Sequence, residues 1–261
     1  MAVATIDGLV VGLGRALAAA ACALLLLHWR RAPVPRRALW PRLAVVVLGV
    51  VVGFPLCSAL ALRAVPATHG AIVVGLLPAA TALMGVIRGH ERPSFGFWVA
   101  AAVGLTAILL FCTAGEIDGF RMADALLLLA VLLAALGYAE GALLAREIGA
   151  WQVICWALVF SAPVVAPIVV GRILIVGWMP SAASLAGFAY VSFVSMFLGF
   201  FAWYRGLAKG GIARIGQLQL VQPVMTLGWS HLLLGESISG LQIATAGVVL
   251  ASVWAALRLR V

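Results

Sequence analysis

The sequence predicts an all-α, polytopic membrane protein with nine visible transmembrane helices, and three observations predict it. Hydrophobic residues make up 65% of the 261-residue chain and charged residues only 10%, with a mean hydropathy of +1.19. A soluble domain carries about a quarter charged residues, so this chain cannot solvate its own surface. Apolar runs of bilayer-crossing length, about 20 residues, recur along the whole chain with only short breaks between them. Finally, one stretch occurs twice: residues 220–236, LVQPVMTLGWSHLLLGE, have a degenerate twin at 75–91, GLLPAATALMGVIRGHE.

Taken in order, the runs cover about 8–29, 42–63, 67–87, 93–113, 122–144, 151–171, 184–203, 214–234 and 239–257. The breaks are rich in Arg, Gly and Pro and leave no room for a soluble domain. The basic residues orient the runs. With the loop holding Arg30, Arg31, Arg36, Arg37 and Arg42 placed in the cytoplasm, alternation also puts Arg88, Arg92, Arg146, Arg205, Lys209, Arg214, Arg258 and Arg260 inside. Only Arg63, Arg121 and Arg172 face out, with the acidic Glu116 and Asp118; Arg15 lies within a span. The C-terminus is then cytoplasmic. A net charge of +9 would ordinarily suggest nucleic acid. Here the charge sits in short loops and reads as a topology signal, so no nucleic-acid partner is expected.

At a constant offset of 145 residues, Pro78 pairs with Pro223, Thr81 with Thr226 and Glu91 with Glu236. An odd number of crossings separates the twins, so they run in opposite directions. Inverted repeats of this kind surround mid-membrane sites. The expected division is 1–113 for the first repeat and 114–261 for the second. Three spans precede Pro223 in its half and two precede Pro78, so the counterpart of 122–144 is missing. Met1 to Asp7 reads as the loop after a lost first span. A start codon assigned too late is the favoured explanation, with a natural nine-span variant as the alternative.

The segments GRALAAAACALLLL, ALALRAVPATHGAIVVGLLPAATALMGVIRGHE and WYRGLAKGGIARIGQLQLVQPVMTLGWSHLLLGE resemble an EamA-type member of the drug/metabolite transporter superfamily. The resemblance covers essentially the whole chain. It implies ten helices in two inverted five-helix repeats, working as an exporter of small metabolites or drugs. The first helix is absent here, and the first repeat reads GHE at Gly89–Glu91 where the second reads LGE. The resulting expectation is a secondary active exporter working by alternating access, with proton coupling as an option.

Ionisable residues inside a membrane are costly, so they lead the candidate site. Arg15 lies about two helical turns inside its span, suited to an anionic substrate group or to snorkelling; the resemblance also places an Arg in this segment. Glu140 is the proton-coupling candidate, because a buried carboxylate can exchange protons between conformations. Arg15 and Glu140 sit about 12 Å apart in depth, so they are not expected to pair. Glu91 and Glu236 end their spans and read as caps or interfacial ion pairs. Gln219, Gln222 and Thr226 share one helical face and fit either substrate hydrogen bonding or helix–helix contact, with Gln217 off that stripe. Pro78 and Pro223 each remove a backbone donor and free a carbonyl. Tyr138, Trp156 and Tyr190 are candidate cavity walls or interfacial anchors, and Gln152 shares the Trp156 face.

No cofactor and no metal is expected. Cys22, Cys57, Cys112 and Cys155 lie in apolar runs without CxxC spacing, and His28, His69, His90 and His231 have no ligand spacing. Phosphate-cradling glycine loops and HExxH are absent from the sequence, while Ser58 with His69 and Ser195 with His231 are loose pairs without a motif. An intramembrane enzyme and a transport-inactive scaffold remain the alternatives to a transporter. Expected partners are a small-molecule substrate and the lipid bilayer, with homodimerisation open. Arg outnumbers Lys sixteen to one, which with the Ala and Val bias points to a bacterial inner membrane.

Overall fold

The computed structural model describes residues 5–65, 67–112, 122–234 and 240–259. Glu116, Asp118, Arg121, Glu236 and Arg260 lie outside the described residues, as do the side chains of Cys112 and Thr226. Among the described residues the fold is all helical. Nine rods follow one another: α1 (Gly8–Trp29), α2 (Arg37–Ala61), α3 (Ala67–Val74, then Leu77–Gly89), α4 (Phe95–Cys112) and α5 (Met122–Ile148), followed by α6 (Ala150–Val176), α7 (Ala182–Gly210), α8 (Ile212–Leu234) and α9 (Gly240–Arg258). Five of them, α1, α2, α5, α6 and α7, are long and apolar enough to cross a membrane, and shorter apolar helices complete the set.

Each expected run is therefore a helix, but several limits move. α5 continues to Ile148 and α6 to Val176, through Pro163 and Pro167, and α7 extends from Ala182 to Gly210. Single glycines make the tight links. Gly149 joins α5 to α6 with φ +91°, and Gly211 joins α7 to α8 with φ +92°. That conformation is open to glycine because it lacks a Cβ.

Four rods are not uniform α-helix. α2 carries a π-helical stretch at Val47–Gly53 and α7 one at Tyr190–Leu198. Shifted by 145 residues the two stretches overlap. α3 breaks at Gly75 and Leu76, ahead of Pro78, and α8 tightens into a 3₁₀ turn at Gln217–Leu220, ahead of Pro223. Each proline thus stands near the start of a new helical segment, where a missing N–H costs little.

Packing is pairwise. α1 runs along α6, α4 along α9, and α5 against α2 and α3, while the far part of α3 meets the start of α8. The main core draws chiefly on α1, α2, α5, α6 and α7, with residues from Ile6 to Ile212. A close backbone approach lies between α2 and α5. A Cβ built on Gly49 would stand 2.4 Å from the Leu133 carbonyl oxygen and 2.8 Å from Gly137 Cα. Tyr204 of α7 packs closely on Gly141 of α5, where a Cβ would fall 2.0 Å from the ring, and its hydroxyl donates to the Gly137 carbonyl at 3.4 Å.

Rod ends that alternation places on one side do meet. One face, which carries Arg30, Arg88, Arg146 and Arg205 and is called here the basic face, joins α1 to α2, α3 to α4, α5 to α6 and α7 to α8. On the opposite face Asp7 caps α1 by accepting from the Leu9 and Val10 N–H groups at 3.0 and 3.4 Å. It also binds Arg172 of α6 at 2.7 Å. The Arg172 guanidinium holds the Asp7 carboxyl below its ordinary value. His69 of α3 contacts the buried Asp124 of α5 on the same face.

Candidate functional site

A cavity of about 600 Å³ opens between α1, α2, α3, α5, α7 and α8. Arg15, Tyr138, Gln219 and Gln222 line it together, although the sequence separates Arg15 from Gln222 by 207 residues. The Arg15 Nε donates to the Gly12 carbonyl at 3.2 Å, and among the described residues Arg15 forms no ion pair. Its remaining guanidinium nitrogens leave an electropositive wall beside the Tyr138 phenol. Tyr138 stands edge-on to Trp203, with ring centroids 5.5 Å apart, and tilts against Phe200 at 6.3 Å.

The amide face of α8 has a double use. The Gln219 amide donates to Thr81 Oγ1 at 3.2 Å and to the Gly216 carbonyl at 3.0 Å, so part of it is contact between helices. Gln217, set aside by its spacing, is fully buried and donates to the Pro78 carbonyl at 3.2 Å, tying α8 to α3. Pro78 and Pro223 cannot return an N–H to the residues four before them, Val74 and Gln219. Both of those residues line the cavity, at counterpart positions.

Three candidates stand elsewhere. Trp156 is buried in the main core, tilted against Phe160 at 5.7 Å, and Tyr190 is 63% exposed on α7. Aromatic residues in a membrane helix suit core, lipid and cavity alike, so residue type did not separate them. Glu140 is 1% exposed and does not line the cavity. Its Oε2 accepts from Arg42 Nε at 3.0 Å and its Oε1 from Arg88 Nε at 2.6 Å. Arg42 also binds Glu147. The carboxylate is thus a buried cross-link joining α2, α3 and α5.

Glu91 is a cap, across the halves of the chain. Its carboxylate oxygens accept from the Ile212 and Ala213 N–H groups at 2.6 and 2.7 Å, at the start of α8. Arg146 stands 3.8 Å from it and donates through Nε to the Ala208 carbonyl at 3.0 Å. These contacts, with Gln217 on Pro78, form a polar layer between the cavity and the basic face. Ser58 spends its hydroxyl on the Phe54 carbonyl at 2.6 Å, and among the described residues no group of three His, Cys, Asp or Glu gathers.

Sequence reasoning missed Trp203, Phe200, Arg42, Asp7 and Asp124. Trp203 lines the cavity with its indole Nε1 buried and without a hydrogen-bond partner. Its place in the WYRG run, eight residues before Gly211, was the available signal.

A largely apolar cavity that gathers Arg15 and two amides among apolar helices, two of them restarted at matched prolines, fits a class: a multi-pass membrane transport protein. The model of the EamA-like transporter family matches residues 1–113 and 121–258. The chain belongs to that family. It is 41% identical to the uncharacterized transporter YdeK of Bacillus subtilis (strain 168), over 99% of this chain and 90% of that protein. A solved crystal structure of a protein 17% identical in sequence superposes with a TM-score of 0.76, covering 97% of this chain and 89% of its own.

Proposed function

We propose that the protein is a secondary transporter that exports a small polar metabolite or drug carrying an anionic group, by alternating access about the Arg15 cavity. The observation that carries this reading is the cavity lining: an Arg without an ion-pair partner, an unpartnered Trp203 donor, and the Gln219 and Gln222 amides on one wall. Among the described residues the Trp203 indole N–H is buried without an acceptor, which is costly, and a bound solute satisfies it. The aromatic wall of Tyr138, Phe200 and Trp203 accepts the apolar part of such a solute.

Access alternates, in this reading, at the polar layer toward the basic face. Glu91 on the start of α8 and Glu140 between Arg42 and Arg88 hold that side shut. The basic face is cytoplasmic by the distribution of charge, so this is an outward-open state. Opening the layer withdraws both guanidinium groups from Glu140, the proton-coupling candidate.

The test is flux of labelled anionic metabolites in proteoliposomes under an imposed pH gradient. Arg15→Ala should cut flux about tenfold or more, the size of a charge-assisted hydrogen bond of about 1.5–3 kcal/mol. Gln222→Ala should cut it less, with expression unchanged in both. Flux that survives Arg15→Ala, or that falls only in step with expression, overturns the assignment of the cavity.

A further inference from the structure

A second cavity, of about 990 Å³, lies on the basic face, away from the Arg15 site. The end of α1, the α5–α6 link and the end of α7 enclose it. Its upper wall holds four cationic side chains, Arg30, Arg146, Arg205 and Lys209, and no carboxylate lines it. Among the described residues Arg30, Arg205 and Lys209 take part in no ion pair. The three of them without a carboxylate partner repel each other around one hollow, and an anion between them relieves this. The start of α6 adds to the field. Gly149, Ala150 and Trp151 line the same hollow, and no side chain caps this 27-residue helix. Its first N–H groups and its dipole favour an anion there.

The lower wall is apolar. Leu26 and Phe201 continue the cavity down along the membrane-spanning part of α1 and α7. A free inorganic anion would meet the upper wall alone, whereas an acylated phosphate matches both. We propose that this cavity binds the phosphodiester headgroup of an anionic phospholipid, with an acyl chain along Leu26 and Phe201. Basic pockets between helices at a membrane surface suit such headgroups. The assignment stands apart from the reading of the Arg15 cavity, since the two share no lining residue.

Delipidated protein in neutral detergent tests it. Phosphatidylglycerol, phosphatidylcholine of the same acyl chains, and inorganic phosphate are titrated separately, with binding read by native mass spectrometry and by thermal unfolding. The expected result is a one-to-one phosphatidylglycerol adduct that raises the unfolding temperature, with no comparable response to the other two. The double variant Arg205→Gln, Lys209→Gln should weaken that adduct about tenfold, and Arg205→Lys should retain most of it. Both side chains are exposed, so the fold is retained, and the unfolding temperature without lipid checks this. Equal binding of phosphatidylcholine, or an unchanged adduct in the double variant, overturns the proposal. Inorganic phosphate that binds as tightly as the lipid overturns the lipid assignment in favour of a soluble anion.

Discussion

α2 and α7 are counterparts at an offset of 145 residues, and each carries its π-helical stretch at the matching place, yet they are buried to very different degrees. Half of the apolar window of α2 is buried, against 17% for α7. Their mean hydropathies, 2.6 and 1.9, are both far above what a membrane span needs, so composition does not account for the difference. The neighbour does. α5 lies on α2 through the Gly49–Gly137 approach, whereas Val194, the residue matching Gly49, is 43% exposed beside Tyr190 and Phe193. A wide π turn opens the backbone, and only at α2 does a glycine pair turn that opening into a close contact.

The largest effect expected from breaking this contrast comes from Glu140. Glu140→Gln takes from Arg42 and Arg88 the buried carboxylate they share, and losing these charge-assisted hydrogen bonds costs about 1.5–3 kcal/mol. The matching position to Arg42 on α7 is Gly187, so α7 has no such tie to lose. A fall of several degrees in the unfolding temperature of the purified protein is the expected readout. Next comes Gly49→Ala, whose new Cβ meets backbone on α5 and should cost about 1–3 kcal/mol by overpacking. Val194→Leu, at the counterpart position, should change stability by less than about 0.5 kcal/mol. Equal losses at Gly49 and Val194 would show that the contrast between the helices has no energetic meaning.

The smallest effect is a dependence on acid at the start of α7. The Ser181 N–H donates to Thr5 Oγ1 at 3.0 Å, two residues before the Asp7–Arg172 pair. Asp7 is held below the ordinary carboxylate range, so its contribution is fully present above the unfolded value of about 4 and lost as pH falls through the lower folded value. Asp7→Asn should remove the part of the acid dependence of unfolding that sets in as pH falls below about 4, while leaving α2 untouched. Hydrogen exchange at both helices, measured across that range, checks the assignment.

Much of the fold was legible because a span must be apolar and its loops short. All nine runs are helices, and the residues closing them meet on the faces that alternation assigns. The cavity was half legible. Arg15, Gln219 and Gln222 are polar in apolar surroundings, a signal that one sequence carries unaided. Tyr138, Trp156 and Tyr190 could not be sorted, because in a membrane protein the lipid-facing and core-facing sides are both apolar and helical periodicity fades. Glu140 looked like a lone carboxylate because its partners lie 98 and 52 residues away. The π turns left no mark in composition either, since their valines and phenylalanines suit any buried helix.

The Glu91 cap constrains the order in which the molecule is put together. The first turn of α8 is completed by a carboxylate belonging to residues translated 121 positions earlier. Short helices in isolation are marginal, and the five residues from Ile212 to Gly216 have no side-chain cap of their own. During synthesis, then, the early half serves as a mould on which the late half starts to coil. Two polypeptides divided within the α4–α5 connection should recover a native arrangement only when co-inserted. In that experiment the late fragment is the dependent partner.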